Sequence, residues 1–182
     1  LLEQDDILAA CIEQFEQADN MTERLSALSN LVNSNAREQA EQALTSFGDE
    51  FSGEPLVMDQ WFSVQASSPL FSDTAQIRKL MEHKAFSIRN PNKVRAVLGA
   101  FSQHNLPQFH VADGSGYALL AEQVAALDAL NPQMSARMVN PLTRWRRFAD
   151  GQGQLMKAEL EKLQQLPGLS KDLFEVLEKA LD

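Results

Sequence analysis

Apolar side chains recur at three- and four-residue spacing from one end of this chain to the other, in runs of roughly ten to sixteen residues cut by proline, glycine and capping residues. No alternating pattern competes, so the repeat admits helices and excludes a sheet. The spacing predicts a helix over 5–16, with Ile7, Leu8, Cys11, Ile12 and Phe15 on one stripe. Thr22 is the expected cap of the next, running to residue 34 with Leu25, Leu28, Leu31 and Val32 inward. A third spans 36–47 and is expected to stop at Gly48. Pro55 opens a helix carrying Met58, Trp61, Phe62 and Val64, and Ser72 or Asp73 caps another with Ile77, Leu80 and Met81. Helices are then predicted over 91–104, 115–130, 132–148, 152–165 and 170–181, with Pro141 kinking or dividing its own.

About ten amphipathic helices joined by short loops stack better as antiparallel pairs than as one four-helix bundle. The expected fold is therefore all-α, a superhelical stack of helix pairs resembling a HEAT or armadillo solenoid. Asn-Pro recurs at Asn90-Pro91 and Asn131-Pro132, each time opening a helix, though Asn followed by Pro is also an ordinary helix start. With 182 residues and 44% hydrophobic content the chain can bury a sizeable core. Its apolar runs, such as 117–121, which ends at Glu122, fall far short of the ~18 residues a membrane helix needs, and a soluble chain is expected. A start at Leu1 rather than Met reads as a fragment or a processed product. The lone Cys11 sits on the first apolar stripe and reads as a buried, inert thiol.

Net charge is −9, but the charges are segregated. Residues 1–60 hold thirteen acids against two bases, whereas 77–147 hold ten bases against four acids. The bases gather near Arg78–Arg95 and Arg137–Arg147, which suits either a solvated mixed surface or a cavity for anionic groups. Nucleic acid fits poorly, because the chain as a whole is acidic and its aromatic residues keep core spacing.

Catalytic motifs are absent. A gluzincin zinc site needs two histidines four apart on a helix with a glutamate between them. His83, His104 and His110 have no such spacing and read as surface or capping residues. Asp113-Gly114-Ser115-Gly116 lacks the spacing and the lysine of a phosphate loop and reads as a turn with Ser115 as the helix cap. Gln133 and Arg137 lie four apart and face one way, and Arg95 stands early in its own helix. Such groups either form a salt-bridged surface or grip the carbonyls or carboxylate of a peptide.

Three segments carry a resemblance: KAFSIRNPNKVRAVLGAFSQHNLPQFHVADGSGY at 84–117, NPQMSARMVNPLTRWRRF at 131–148, and the closing LQQLPGLSKDLFEVLEKALD. Together they resemble the C-terminal helical domain of the bacterial aminopeptidase N family of gluzincin zinc metallopeptidases, over roughly the last 110 residues. Residues 1–75 share only helical character and length with that family. The resemblance implies that residues 1–182 form one helical domain. It would cover a catalytic domain holding one zinc ion, be inactive alone, and contact short peptides through Arg95, Gln133 and Arg137. It also implies that the zinc-binding helix, the downstream glutamate ligand and the Gly-Ala-Met-Glu-Asn segment belong to upstream domains. The family further implies a cytoplasmic address. A free-standing helical-repeat module that binds an extended peptide is the alternative.

Overall fold

The computed structural model describes residues 2–182, and side chains from 6 to 149 and 151 to 182. Among them every regular element is a helix. The chain opens with α1 (Leu2–Gln17), α2 (Met21–Val32) and α3 (Arg37–Glu50). The short links between them leave each helix no course but to fold back on its predecessor, and α1 packs on α2 and α2 on α3. Two expectations fail here. The cap of α2 is Asn20, whose Oδ1 accepts from the Glu23 N–H at 3.0 Å, and Thr22 is already helical. Gly48 does not end α3 either. A Cβ there would sit 3.2 Å from the indole Nε1 of Trp61, so the missing side chain lets that ring close on the helix. Trp61 Nε1 donates to the Leu44 carbonyl at 2.9 Å.

The stripe of α1 is only partly covered. Phe15 is buried, Leu8, Cys11 and Ile12 are half-buried, and Ile7 is 64% exposed. Cys11 is thus not the fully buried thiol expected, because α1 packs chiefly on α2 and, among the described residues, its outer edge stays open.

Next come α4 (Pro55–Ser67) and α5 (Thr74–Glu82), the latter capped by Asp73, whose carboxylate accepts from Gln76 N–H at 2.8 Å. The helix expected over 91–104 is interrupted. It runs as α6 (Pro91–Val94), a π-turn (Arg95–Gly99) and α7 (Ala100–His104), with the Ala100 N–H reaching back five residues to the Arg95 carbonyl. A short α8 (Leu106–Phe109) follows, then α9 (Ser115–Asp128). Gly114, at φ 73°, is the residue before α9, and Ser115 is its first helical residue rather than its cap. Asp113 instead tightens the turn by accepting from Ser115 N–H at 2.9 Å.

Asn131 caps α10 (Pro132–Met138) by accepting from Met134 N–H at 3.1 Å. Pro141 divides its segment as expected, into α10, α11 (Asn140–Thr143) and a 3-10 turn (Trp145–Arg147). The chain closes with α12 (Asp150–Gln164) and α13 (Lys171–Leu181), whose N-cap is Ser170. Asp128 at the end of α9 accepts from both the amide and the hydroxyl of Ser170, fastening α13 to the preceding layer.

One continuous apolar core runs from Phe15 to Ala180. Phe47, Phe62, Phe101, Phe109 and Tyr117 are its largest fully buried rings, and Phe109 meets Tyr117 edge-on at 5.2 Å. The fully buried Asn105 holds the layers together: its Nδ2 lies 2.8 to 3.1 Å from the carbonyls of Ala66, Ser68 and Ser72, which pins the α4–α5 link onto α7. No helix among the described residues is long and apolar enough to cross a membrane.

Candidate functional site

The π-turn and the helices on either side of it build a groove. Its anchor is Lys93, whose side chain is 6% exposed. The Lys93 Nζ stands 2.7 Å from the Asp59 carboxylate and donates to the Pro55 carbonyl at 2.8 Å. That buried pair locks α6 onto the start of α4, so the backbone leaving Lys93 enters the π-turn at a set angle. Arg95, the first residue of that turn, is thrown outward, and its Nη1 donates to Asn92 Oδ1 at 2.7 Å. Beyond it, Arg95 lines a cavity of about 480 Å³ together with Ser63, Ser67, Gln103, His104 and Met138.

Gln103 and His104 also line the adjoining cavity, of about 560 Å³, whose far wall carries Arg137, Asn140 and Arg144. The apolar part of its lining comes from Leu106, Phe109, Pro141 and Phe148. Arg137 is aimed by its helix: Met134, Ser135 and Met138 turn inward, and the Ser135 hydroxyl donates to the Val124 carbonyl of α9 at 2.8 Å. The opposite face of α10 therefore points out, carrying both Gln133 and Arg137. Arg95 and Arg137 thus line two cavities that share a wall, whereas Gln133 lines neither and lies one turn before Arg137 on exposed surface.

The histidines divide. His83 Nδ1 accepts from Ala85 N–H at 3.1 Å, and the ring packs 5.0 Å from Trp61. Burial, helped by the nearby Lys84 and Lys93, lowers its pKa below the usual imidazole range. His110 Nδ1 is 2.8 Å from the Tyr117 hydroxyl and its ring 4.6 Å from Phe148, and burial lowers its pKa too. Both are packing groups held neutral at neutral pH. His104 is exposed on the rim shared by the two cavities. Among the described residues no three His, Cys, Asp or Glu side chains converge in a way that could hold a metal ion. The side chains here do not fit zinc.

What the groove offers is donors. Arg24, Arg37 and Arg78 each pair with a glutamate, and Arg146 donates to the Ala180 and Leu181 carbonyls. Arg95, Arg137 and Arg144 have no acidic partner among the described residues, and neither of the two adjoining cavities has a carboxylate in its lining. Such a groove can hold carbonyl oxygens and carboxylates; it has no nucleophile paired with a base. Sequence reading missed Gln103, His104 and Arg144. Arg144 follows Arg137 by two helical turns of sequence, a usable signal that the break at Pro141 conceals.

A protein-family profile described as "Domain of unknown function (DUF3458_C) ARM repeats" matches residues 1–182. Aminopeptidase N of Escherichia coli (strain K12) is 41% identical over 170 residues, which cover 93% of this chain and 19% of that protein. Aminopeptidase N of Haemophilus influenzae is 41% identical over 169 residues, again 93% and 19%. That of Caulobacter vibrioides is 39% identical over 174 residues, 96% and 20%. A crystal structure of Legionella pneumophila aminopeptidase A in complex with aspartic acid superposes with a TM-score of 0.92 at 33% identity, covering 99% of this chain and 21% of that one. The chain spans about a fifth of the length of the curated relatives it matches.

Proposed function

The chain belongs to the family described as "Domain of unknown function (DUF3458_C) ARM repeats", and we propose that it serves as the C-terminal helical domain of an aminopeptidase, covering a catalytic centre built by other parts of the same polypeptide. Its similarity to about a fifth of each aminopeptidase N supports a larger parent that removes N-terminal residues from peptides. The one zinc ion such a parent uses is held, on this reading, outside residues 1–182, and the address is cytoplasmic, as in the family resembled.

The observation that carries the reading is the groove itself: two adjoining cavities with unpaired arginines and no reactive constellation. In this role the solenoid limits access to small peptides and keeps bulk water from the reacting bond. Arg95, Gln133 and Arg137 contact the substrate backbone beyond that bond, which fixes its orientation without taking part in proton or acyl transfer. Exposed leucines frame the groove, Leu56 beside Arg95 and Leu106 beside the second cavity, which suits a face covered by the rest of the polypeptide.

The test mixes this purified chain with the separately produced upstream domains and zinc, and assays alanine p-nitroanilide and a dipeptide series. Restored or reshaped peptide selectivity is the expected result. Arg137→Ala removes a charge-assisted contact of about 1.5–3 kcal/mol and raises KM for short peptides roughly tenfold or more. No association and no kinetic effect would favour an autonomous peptide-binding solenoid.

A further inference from the structure

The cavity between α7–α8 and α10–α11 contains more positive charge than backbone positioning requires. Arg137 and Arg144 both line it, and neither has an acidic partner or a side-chain hydrogen bond to another residue among those described. Phe109, Pro141 and Phe148 add apolar lining beside them, and a concave wall focuses the field of the two charges. Both arginine side chains are exposed, and two like charges beside one cavity draw an anion toward the space between them. The contrast within this protein is direct: the pocket beside Arg37 includes Asp73 in its lining, and Arg37 itself is paired with Glu41.

We propose that Arg137 and Arg144 form a carboxylate site in this cavity, with Arg144 as a second, specificity-determining contact for the far end of a peptide whose backbone passes Arg95. The proposal rests on the peptide-binding reading above and adds what that reading leaves open, the class of group accepted at the groove's end. A guanidinium pair takes a carboxylate through bidentate, charge-assisted hydrogen bonds, and such a group reaches the cavity either as a peptide C-terminus or as an acidic side chain. Asn140, on the same wall, supplies an amide, and His104 marks the entrance from the first cavity. The site performs no chemistry; it selects.

The test is an NMR titration of the 182-residue protein with tetraalanine, its C-terminal amide, and an amidated tetrapeptide with glutamate at its third position, each carried into the millimolar range. Tetraalanine with a free carboxylate is expected to bind about tenfold more tightly than its amide and to shift resonances between residues 137 and 148. Arg144→Gln is expected to abolish that difference while Arg144→Lys retains part of it, and both should keep the wild-type helical signal. Recovery of tight binding by the glutamate peptide assigns the site to an acidic side chain as well; failure to recover restricts it to the terminus. Equal binding of acid and amide, or an acid preference that survives Arg144→Gln, overturns the proposal. If Arg95→Gln and Arg137→Gln still weaken the amide in that case, the peptide-positioning reading stands and only the carboxylate site falls. Absence of binding by every peptide overturns the site and removes the support the groove lends to that reading.

Discussion

Arg24 in α2 reaches Glu50 through two hydrogen bonds of 2.9 and 2.6 Å and lies over the rings of Phe15, Phe47 and Phe51. Arg137 and Arg144, farther along the solenoid, meet no acid among the described residues and line an open cavity. The first region is rich in acids and neutralises its few cations; the middle is poor in acids and leaves several free. Proteins spend structure on holding an arginine where the fold needs it. Where that support is missing and the surroundings are concave, the charge stays open to a ligand.

Between these extremes stands Lys93, a cation of the middle region that is nonetheless tied down, and removing it gives the largest effect expected. Lys93→Ala leaves the Asp59 carboxylate, in a side chain 17% exposed, without its partner and should cost about 3–5 kcal/mol in chemical denaturation. A loss below about 1 kcal/mol would show that the pair is solvated, and held and free cations would no longer be distinct. Arg24→Ala comes next. Losing the bidentate pair and the stacking on three rings should cost about 1–2 kcal/mol, seen as a lower melting temperature. Arg95→Gln is the smallest: stability should stay within about 0.5 kcal/mol of the parent, because the exposed guanidinium gives up one hydrogen bond to Asn92. A clear destabilisation by Arg95→Gln would place that arginine with Arg24, as a structural group.

The architecture was readable from pattern because it follows from local rules. Capping by Asp73, Asn90, Asn131 and Ser170, and division at Pro141, depend on residues within a turn of one another. The misreadings share the opposite cause. Gly48 continues its helix because a tryptophan thirteen positions later needs the space, and Asn20 captures the cap from Thr22 by one geometric choice among several polar residues. The thiol of Cys11 is half-buried because coverage depends on what packs over α1, which periodicity does not record. At the groove, Arg95 and Arg137 were marked by residue type and resemblance, while their meeting across Gln103 and His104, and the company of Arg144, are facts of packing.

The π-turn has a consequence for how relatives should be aligned. A five-residue turn in place of a regular one holds one surplus residue, so Arg95–Gly99 has the form of a single-residue insertion accommodated within a helix. The surplus residue is absorbed within the turn and the flanking segments keep their helical phase, so excising one would close Arg95–Gly99 to a regular turn and re-aim the side chains inside it, Arg95 first, while Lys93 and α7 keep their faces. A one-position gap opposite this stretch in a related sequence therefore marks a lineage whose groove arginine faces a different direction, however well the flanking residues agree.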